Sequence, residues 1–154
     1  MKLNIVLVRP EIPQNTGAIG RFCVCLDATL HLIQPLGFLV DDTHLKRAGL
    51  DYWKYLSYKI HSNWGAFLKS EKPDRMLFAS TKGIKPYFDY SFQPGAYLVF
   101  GNETSGFPEV FYTQYKDHLY GIPMPGKYAR SHNLSNAVAI IGSEAYRQIY
   151  TKSS

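Results

Sequence analysis

Short apolar runs alternate along this chain with stretches whose apolar residues recur at helical spacing. Residues 3–8 form one continuous run containing Ile5, Val6 and Val8, the pattern of a strand covered on both faces. After Pro10 and Pro13, Asn15 is placed to cap a helix running through Ile19, Phe22 and Leu26. Thr29–Ile33 reads as the next strand, ended by Gln34 and Pro35. Asp41, Asp42 and Thr43 then open a short basic helix with Leu45, Lys46 and Arg47. Residues 55–60 predict a strand, and 62–70 a helix capped by Ser62 or Asn63. Met76–Ala79 and residues 96–100 are two more buried-type strands, and Gly121 with Ile122 a brief last one. This alternation predicts an α/β domain, a mainly parallel sheet flanked by helices.

The last helix is the most regular. Leu134, Val138, Ile141, Ala145 and Ile149 recur at intervals of four, three, four and four, so they share one face. Ala137, Ile140 and Tyr146 widen that stripe. So broad an apolar arc suits either of two roles, covering the chain's own sheet with surface left for a second copy in a symmetric dimer, or simply capping the core.

Composition narrows the class without choosing a function. A chain of 154 residues that is 45% hydrophobic suits a single domain spanning residues 1–154, with a proper core. Lys and Arg number 17 against 12 Asp and Glu, a net charge of +5, which favours a polyanionic partner without requiring one. The charges are scattered, as on an ordinary solvated surface. Cys23 and Cys25 lie two apart in a predicted helix, so their side chains diverge, and no ligand-spaced His cluster joins them. No metal is expected, and both cysteines are expected to be reduced, half-buried packing residues. The first residues lack the charged head and apolar stretch of a signal peptide, and no segment reaches the ~18 apolar residues of a membrane span. The expectation is a soluble cytoplasmic protein with no membrane partner.

Candidate chemistry sits in the connections. In an open parallel sheet, ligands bind beyond the carboxyl ends of the strands. Residues 15–21, 81–83, 101–106 and 122–133 all follow predicted strands there, and they carry polar side chains where plain turns need only Gly and Pro. Gly101 and Gly106 allow close backbone approach to a ligand, with the Glu103 carboxylate between them. By itself this spacing also suits a tight turn. No Lys-Ser/Thr follows Gly106, which excludes a phosphate loop, and no G-x-G-x-x-G supports a dinucleotide fold.

Three of these segments resemble the signature motifs of the SPOUT superfamily of RNA methyltransferases, in its TrmH-like 2′-O-ribose branch. They are Asn15-Thr-Gly-Ala-Ile-Gly-Arg21, Phe100-Gly-Asn-Glu-Thr-Ser-Gly106 and the run from Ile122 through Ala137. The runs from Arg9 to Gly17, His31 to Phe38 and Lys46 to Tyr52 are similar to those of its small members that act on the tRNA wobble nucleotide. Asn102 departs from those members, which usually carry Pro there.

The resemblance implies a trefoil knot at the C-terminal side of the sheet, an exception to the rule against threaded chains. It implies a homodimer and S-adenosylmethionine as methyl donor, leaving as S-adenosylhomocysteine. Cofactor contacts would fall on Ala79, Gly101, Ile122 and Ser131. Arg21 would be the central catalytic residue, with Asn15, Glu103, Ser131 and Asn133 orienting the reactants. Whether Arg21 removes the proton or holds the neighbouring phosphate stays open, because a guanidinium keeps its protons in proteins. The implied target is the wobble nucleotide, cytidine or modified uridine, in the anticodon stem-loop of leucine tRNAs. Charge and loop placement nominate Lys46, Arg47, Lys82, Lys127 and Arg130 as phosphate contacts, and Tyr52, Trp53 or Tyr128 as a stacking platform. Rival readings are a transferase of the same branch acting on another tRNA site or on ribosomal RNA, and a non-catalytic RNA-binding homologue.

Overall fold

The computed structural model describes residues 2–41, 43, 47 and 52–153. Among them seven strands form one sheet: β1 Asn4–Val8, β2 Thr29–Ile33, β3 Tyr58–His61, β4 Met76–Ala79, β5 Lys85–Pro86, β6 Tyr97–Phe100 and β7 Leu119–Gly121. Their order is β3-β2-β1-β6-β4-β7-β5 and every neighbouring pair is parallel. The helices that can be delimited among the described residues are α1 Pro13–Leu26, α2 Trp64–Glu71, α3 Glu109–Gln114 and α4 Leu134–Ser153.

The pleat sorts the strand residues between two cores. Ile5, Leu7, Leu30, Leu32, Leu98 and Phe100 point to the side covered by α1 and α4. Val6, Val8, Ile33, Phe78 and Val99 point to the other, where Phe67 of α2 and Phe111 of α3 cover them. Both faces are dry, which is why β1 is apolar without alternation. The stripe of α4 is buried as its spacing predicts, from Leu134 to Ile149. Beside that stripe, Gly142 admits Phe22 of α1 so closely that a Cβ would stand 2.6 Å from its ring.

The second core contains a polar knot of side chains that the sequence does not announce. His31 and His61 meet because β2 and β3 are neighbours, with His31 Nδ1 3.0 Å from His61 Nε2 and His31 Nε2 3.0 Å from the Asn4 Oδ1. The Asn4 oxygen only accepts, so His31 carries its proton on Nε2 and its Nδ1 accepts from His61. The Glu71 carboxylate receives Tyr97 Oη and Lys59 Nζ at 3.0 and 3.1 Å. Burial pushes the His31 imidazole down to about 4, aided by the charges of His61 and Lys59 and opposed by Glu71. Its 3.9 Å approach to Glu71 is therefore not an ion pair at neutral pH. His31, His61 and Glu71 each offer a possible metal-ligand atom within 4.8 Å of one another, and both His31 nitrogens are already engaged by His61 and Asn4.

Several expectations are corrected. Asn15 does not cap α1: the helix starts at Pro13 behind Ile12, and Asn15 lies buried inside its first turn. Cys23 is buried but Cys25 is exposed. Residues 53–55 form a 3-10 turn, and β3 begins only at Tyr58. The final strand ends at Gly121 instead of beginning there. Asn63 caps α2 by accepting from Ala66 N at 2.8 Å, as one of the two predicted caps. The predicted basic helix falls mostly outside the described residues, and Lys46 with it.

Candidate active site

The loops that leave β4, β6 and β7 crowd together at the carboxyl edge of the sheet. Their backbones touch through glycine. A Cβ on Gly83 would lie 2.4 Å from the Tyr120 carbonyl carbon, and one on Gly101 2.4 Å from that of Gly106. Gly106 also takes a φ of 72°, which an L side chain resists. Asn102 ties the loop between these glycines: its Oδ1 accepts from Thr104 N at 3.1 Å and Ser105 N at 2.7 Å, an Asx turn that Pro has no side-chain oxygen to make.

Between the loops lies a cavity of about 590 Å³. That is within the usual range for a small-molecule site. Ala79, Gly101, Ile122 and Ser131, the four positions expected to meet a cofactor, all line it. Ala79, Phe100, Ile122 and Leu134 supply apolar walls suited to a flat heterocycle, and the glycine-held backbone gives it hydrogen-bonding edges. A nucleoside cofactor therefore fits this site.

Beside it runs a directed chain of hydrogen bonds. Glu103 accepts from the backbone N–H groups of Glu11 and Ile12 at 2.9 and 2.8 Å, and from Asn15 Nδ2 at 3.3 Å. It thereby satisfies amides at the start of α1, which has no side-chain cap of its own. Asn15 Oδ1 accepts from Asn133 Nδ2 at 3.1 Å, and Asn133 Oδ1 accepts from Ser135 N at 2.9 Å, capping α4. The carboxylate can only accept, so the orientation of both amides follows from it. One chain of donors thus ties the loop after β6 to the starts of α1 and α4.

Of the expected catalytic set, Asn15, Glu103, Ser131 and Asn133 line the cavity; Arg21 does not. Arg21 is exposed on α1, its guanidinium carbon 4.7 Å above the centre of the Tyr52 ring. Arg47, Lys127 and Arg130 are exposed and also off the cavity lining, whereas Lys82 is on it. Among the stacking candidates, Tyr128 is 99% exposed, while Trp53 is packed against Gly20 and Tyr58. Sequence reasoning missed Tyr112, whose hydroxyl accepts from Phe107 N at 3.1 Å and whose ring lies 3.9 Å beneath Lys82 Nζ. Nothing local marks this tyrosine among the 12 in the chain; only the fold brings α3 to the loop after β4.

The model of the SpoU rRNA Methylase family matches residues 2–143. A protein of Saccharophagus degradans named tRNA (cytidine(34)-2'-O)-methyltransferase is 49% identical over 147 residues, 95% of each chain. One of the same name from Escherichia coli strain K12 is 45% identical over 148 residues, 96% of this chain and 94% of that one. A solved structure described as "Structural insights into the 2-OH methylation of C/U34 on tRNA" superposes with a TM-score of 0.90 at 42% identity, over 96% of this chain and 95% of that chain. The SpoU methyltransferase AviRb from Streptomyces viridochromogenes in complex with the cofactor AdoMet superposes with a TM-score of 0.84 at 26% identity, over 94% of this chain and 59% of that chain.

Proposed function

The chain belongs to the SpoU rRNA methylase family, and from that premise we propose that it is an S-adenosylmethionine-dependent transferase that methylates the 2′-hydroxyl of nucleotide 34, the wobble position, in tRNA. The fold is the knotted α/β fold of that family. The observation that carries the reading is the cavity that brings Ala79, Gly101, Ile122 and Ser131 together beside the Glu103–Asn15–Asn133 chain. The relatives named for cytidine 34 of tRNA, whose own length this chain nearly spans, favour tRNA over the ribosomal RNA of the family's description.

When bound, the cofactor supplies an electrophilic methyl group on a sulfonium. The chain's own residues then have three tasks. The apolar walls and the loop backbones orient the nucleoside half and exclude water. Asn133 and Ser131, which line the cavity, orient the acceptor ribose in this reading, and the network anchored on Glu103 holds the Asn133 amide in place. Arg21, permanently charged, suits the phosphate beside the target and the developing alkoxide rather than the role of a neutral base.

Arg21 is remote from the cavity lining of its own chain. The functional unit is a homodimer in which a second copy covers the half-exposed flank of α4 that its own sheet leaves open, at Ile140 and Tyr146, and Arg21 of one chain serves the cavity of the other. Arg47, Lys127, Arg130 and Tyr128 form the exposed set available to the anticodon stem-loop. The activity is cytoplasmic, with its tRNA, and among the described residues no helix is long and apolar enough to cross a membrane.

The test is transfer of labelled methyl to unmodified bulk tRNA, with the product mapped by nucleoside analysis. Label is expected at the 2′-oxygen of nucleotide 34, with Arg21→Ala slower by about a hundredfold or more, the loss typical of one transition-state contact to a charged group. Incorporation into ribosomal RNA alone would overturn the tRNA assignment. No incorporation into either would overturn the transferase.

A further inference from the structure

The loop after β4 carries a lysine whose setting differs from that of an ordinary surface cation. Its backbone is fastened on both sides: Lys82 N donates to Ser80 Oγ at 3.0 Å, and Gly83 N to the Ser80 carbonyl at 3.0 Å. Gly83 is wedged against the backbone at Tyr120 and Gly121, leaving no room for a Cβ. The position of the Lys82 Cα is thus set by the contact between the two loops. The side chain is guided too, with Nζ 3.9 Å from the centre of the Tyr112 ring, a cation–π contact that favours one direction for a flexible stem. The ring itself is held through its hydroxyl by Phe107 N at 3.1 Å.

Lys82 is also the sole Lys or Arg among the described residues lining the cavity, while the other exposed basic candidates lie off it. The cofactor of the proposed reaction has one anionic group, the carboxylate of its amino-acid end. Adenine edges and ribose hydroxyls are neutral and are served by backbone and amide groups. A carboxylate entering a half-apolar cavity needs a cation or several N–H donors. Glu109, one helical turn from Tyr112 on α3, lines the same cavity and complements the ammonium of that amino-acid end. Glu103, the other carboxylate, is already engaged by three N–H donors.

We propose that Lys82, held over Tyr112, binds the carboxylate of the cofactor's amino-acid end and belongs to the cofactor site rather than to the RNA surface. This rests on the methyltransferase reading. The direct test compares two ligands by calorimetry on the full chain: S-adenosylhomocysteine, which has the amino-acid end, and 5′-methylthioadenosine, which lacks it. Lys82→Met should weaken S-adenosylhomocysteine about tenfold, the worth of one hydrogen bond to a charged group, and leave methylthioadenosine unchanged. Lys82→Arg should restore most of the loss. The salt dependence of anticodon stem-loop binding should not change.

Equal losses for both ligands would overturn the proposal in favour of a general disturbance of the loop. An unchanged S-adenosylhomocysteine affinity with a shallower salt dependence of RNA binding would overturn it in favour of a phosphate contact. A wild-type chain that binds neither ligand would overturn the transferase reading itself, and this assignment with it.

Discussion

At the scale of single residues, the His31–His61 pair shows how burial sets a chemical state. The pair is dry and each proton position is fixed by a neighbour that can only accept, so adding a proton to His31 means charging a group with no exposed surface. Burial also pulls the His61 imidazole below its ordinary value, against the Glu71 charge that raises it. The folded chain therefore binds fewer protons than the unfolded chain between about 6.5, the ordinary histidine value, and the value of about 4 reached by His31. Stability is full above that window and falls as pH drops through it. The expected loss from pH 7 to pH 5 is about 1–2 kcal/mol, read as the shift in urea midpoint, and His31→Gln should flatten that dependence. An equally steep profile in the variant would exclude the pair as its source. None of this was legible in the sequence, where the two histidines are thirty positions apart and each looks solitary. Glu103 was legible as a site residue, yet its partners were not: Glu11 and Ile12 lie about ninety positions away, and only the adjacency of β1 and β6 brings them to it.

At the scale of elements, what the sequence made legible depended on length and on burial. β2 and β4 follow their apolar runs end to end, and α4 follows its stripe, because each is buried enough for hydrophobic pattern to dictate its limits. β5 has two residues, one of them proline, and α3 has six, too few for either period to register. The loops between elements carry the site, and there glycine decides. Gly83 is not at positive φ; its constraint is steric, with the Tyr120 carbonyl carbon and the Gly121 nitrogen at 2.4 and 2.7 Å from where a Cβ would stand. Both are backbone atoms that no rotamer change can move. Gly83→Ala must therefore part the loop after β4 from β7 and widen the cavity between Ala79 and Ile122. The expected outcome is at least tenfold weaker S-adenosylhomocysteine binding with about 1–3 kcal/mol of lost stability, the usual cost of overpacking a tight site. Gly126→Ala, in open space, is the matched control. Unaltered binding in Gly83→Ala would mean that the two loops separate without consequence for the site.

For the whole molecule, the fact that bears most on assembly is the separation of Arg21 from the cavity lining of its own chain. The sequence placed Arg21 and Asn15 in one motif, six residues apart on one helix, and the fold sends them different ways: Asn15 inward to Glu103 and Asn133, Arg21 outward over Tyr52. A transferase needs the cofactor, the acceptor ribose and the arginine at one point, so either the arginine acts at a distance on its own cavity or it acts on a neighbour's. Complementation separates these. Arg21→Ala removes the guanidinium and leaves the cavity intact; Asn133→Ser removes the amide donor to Asn15 yet keeps a hydroxyl to cap α4. If each site is built from two chains, the variants are separately slow, but a mixed dimer has one site with both groups native and one with both lost. Equal amounts, unfolded together and refolded, should recover about a quarter of the wild-type rate, since half the dimers are mixed and each has one whole site of two. If Arg21 serves the cavity of its own chain, every site in the mixture lacks one group or the other, and the rate stays at the mean of the two variants.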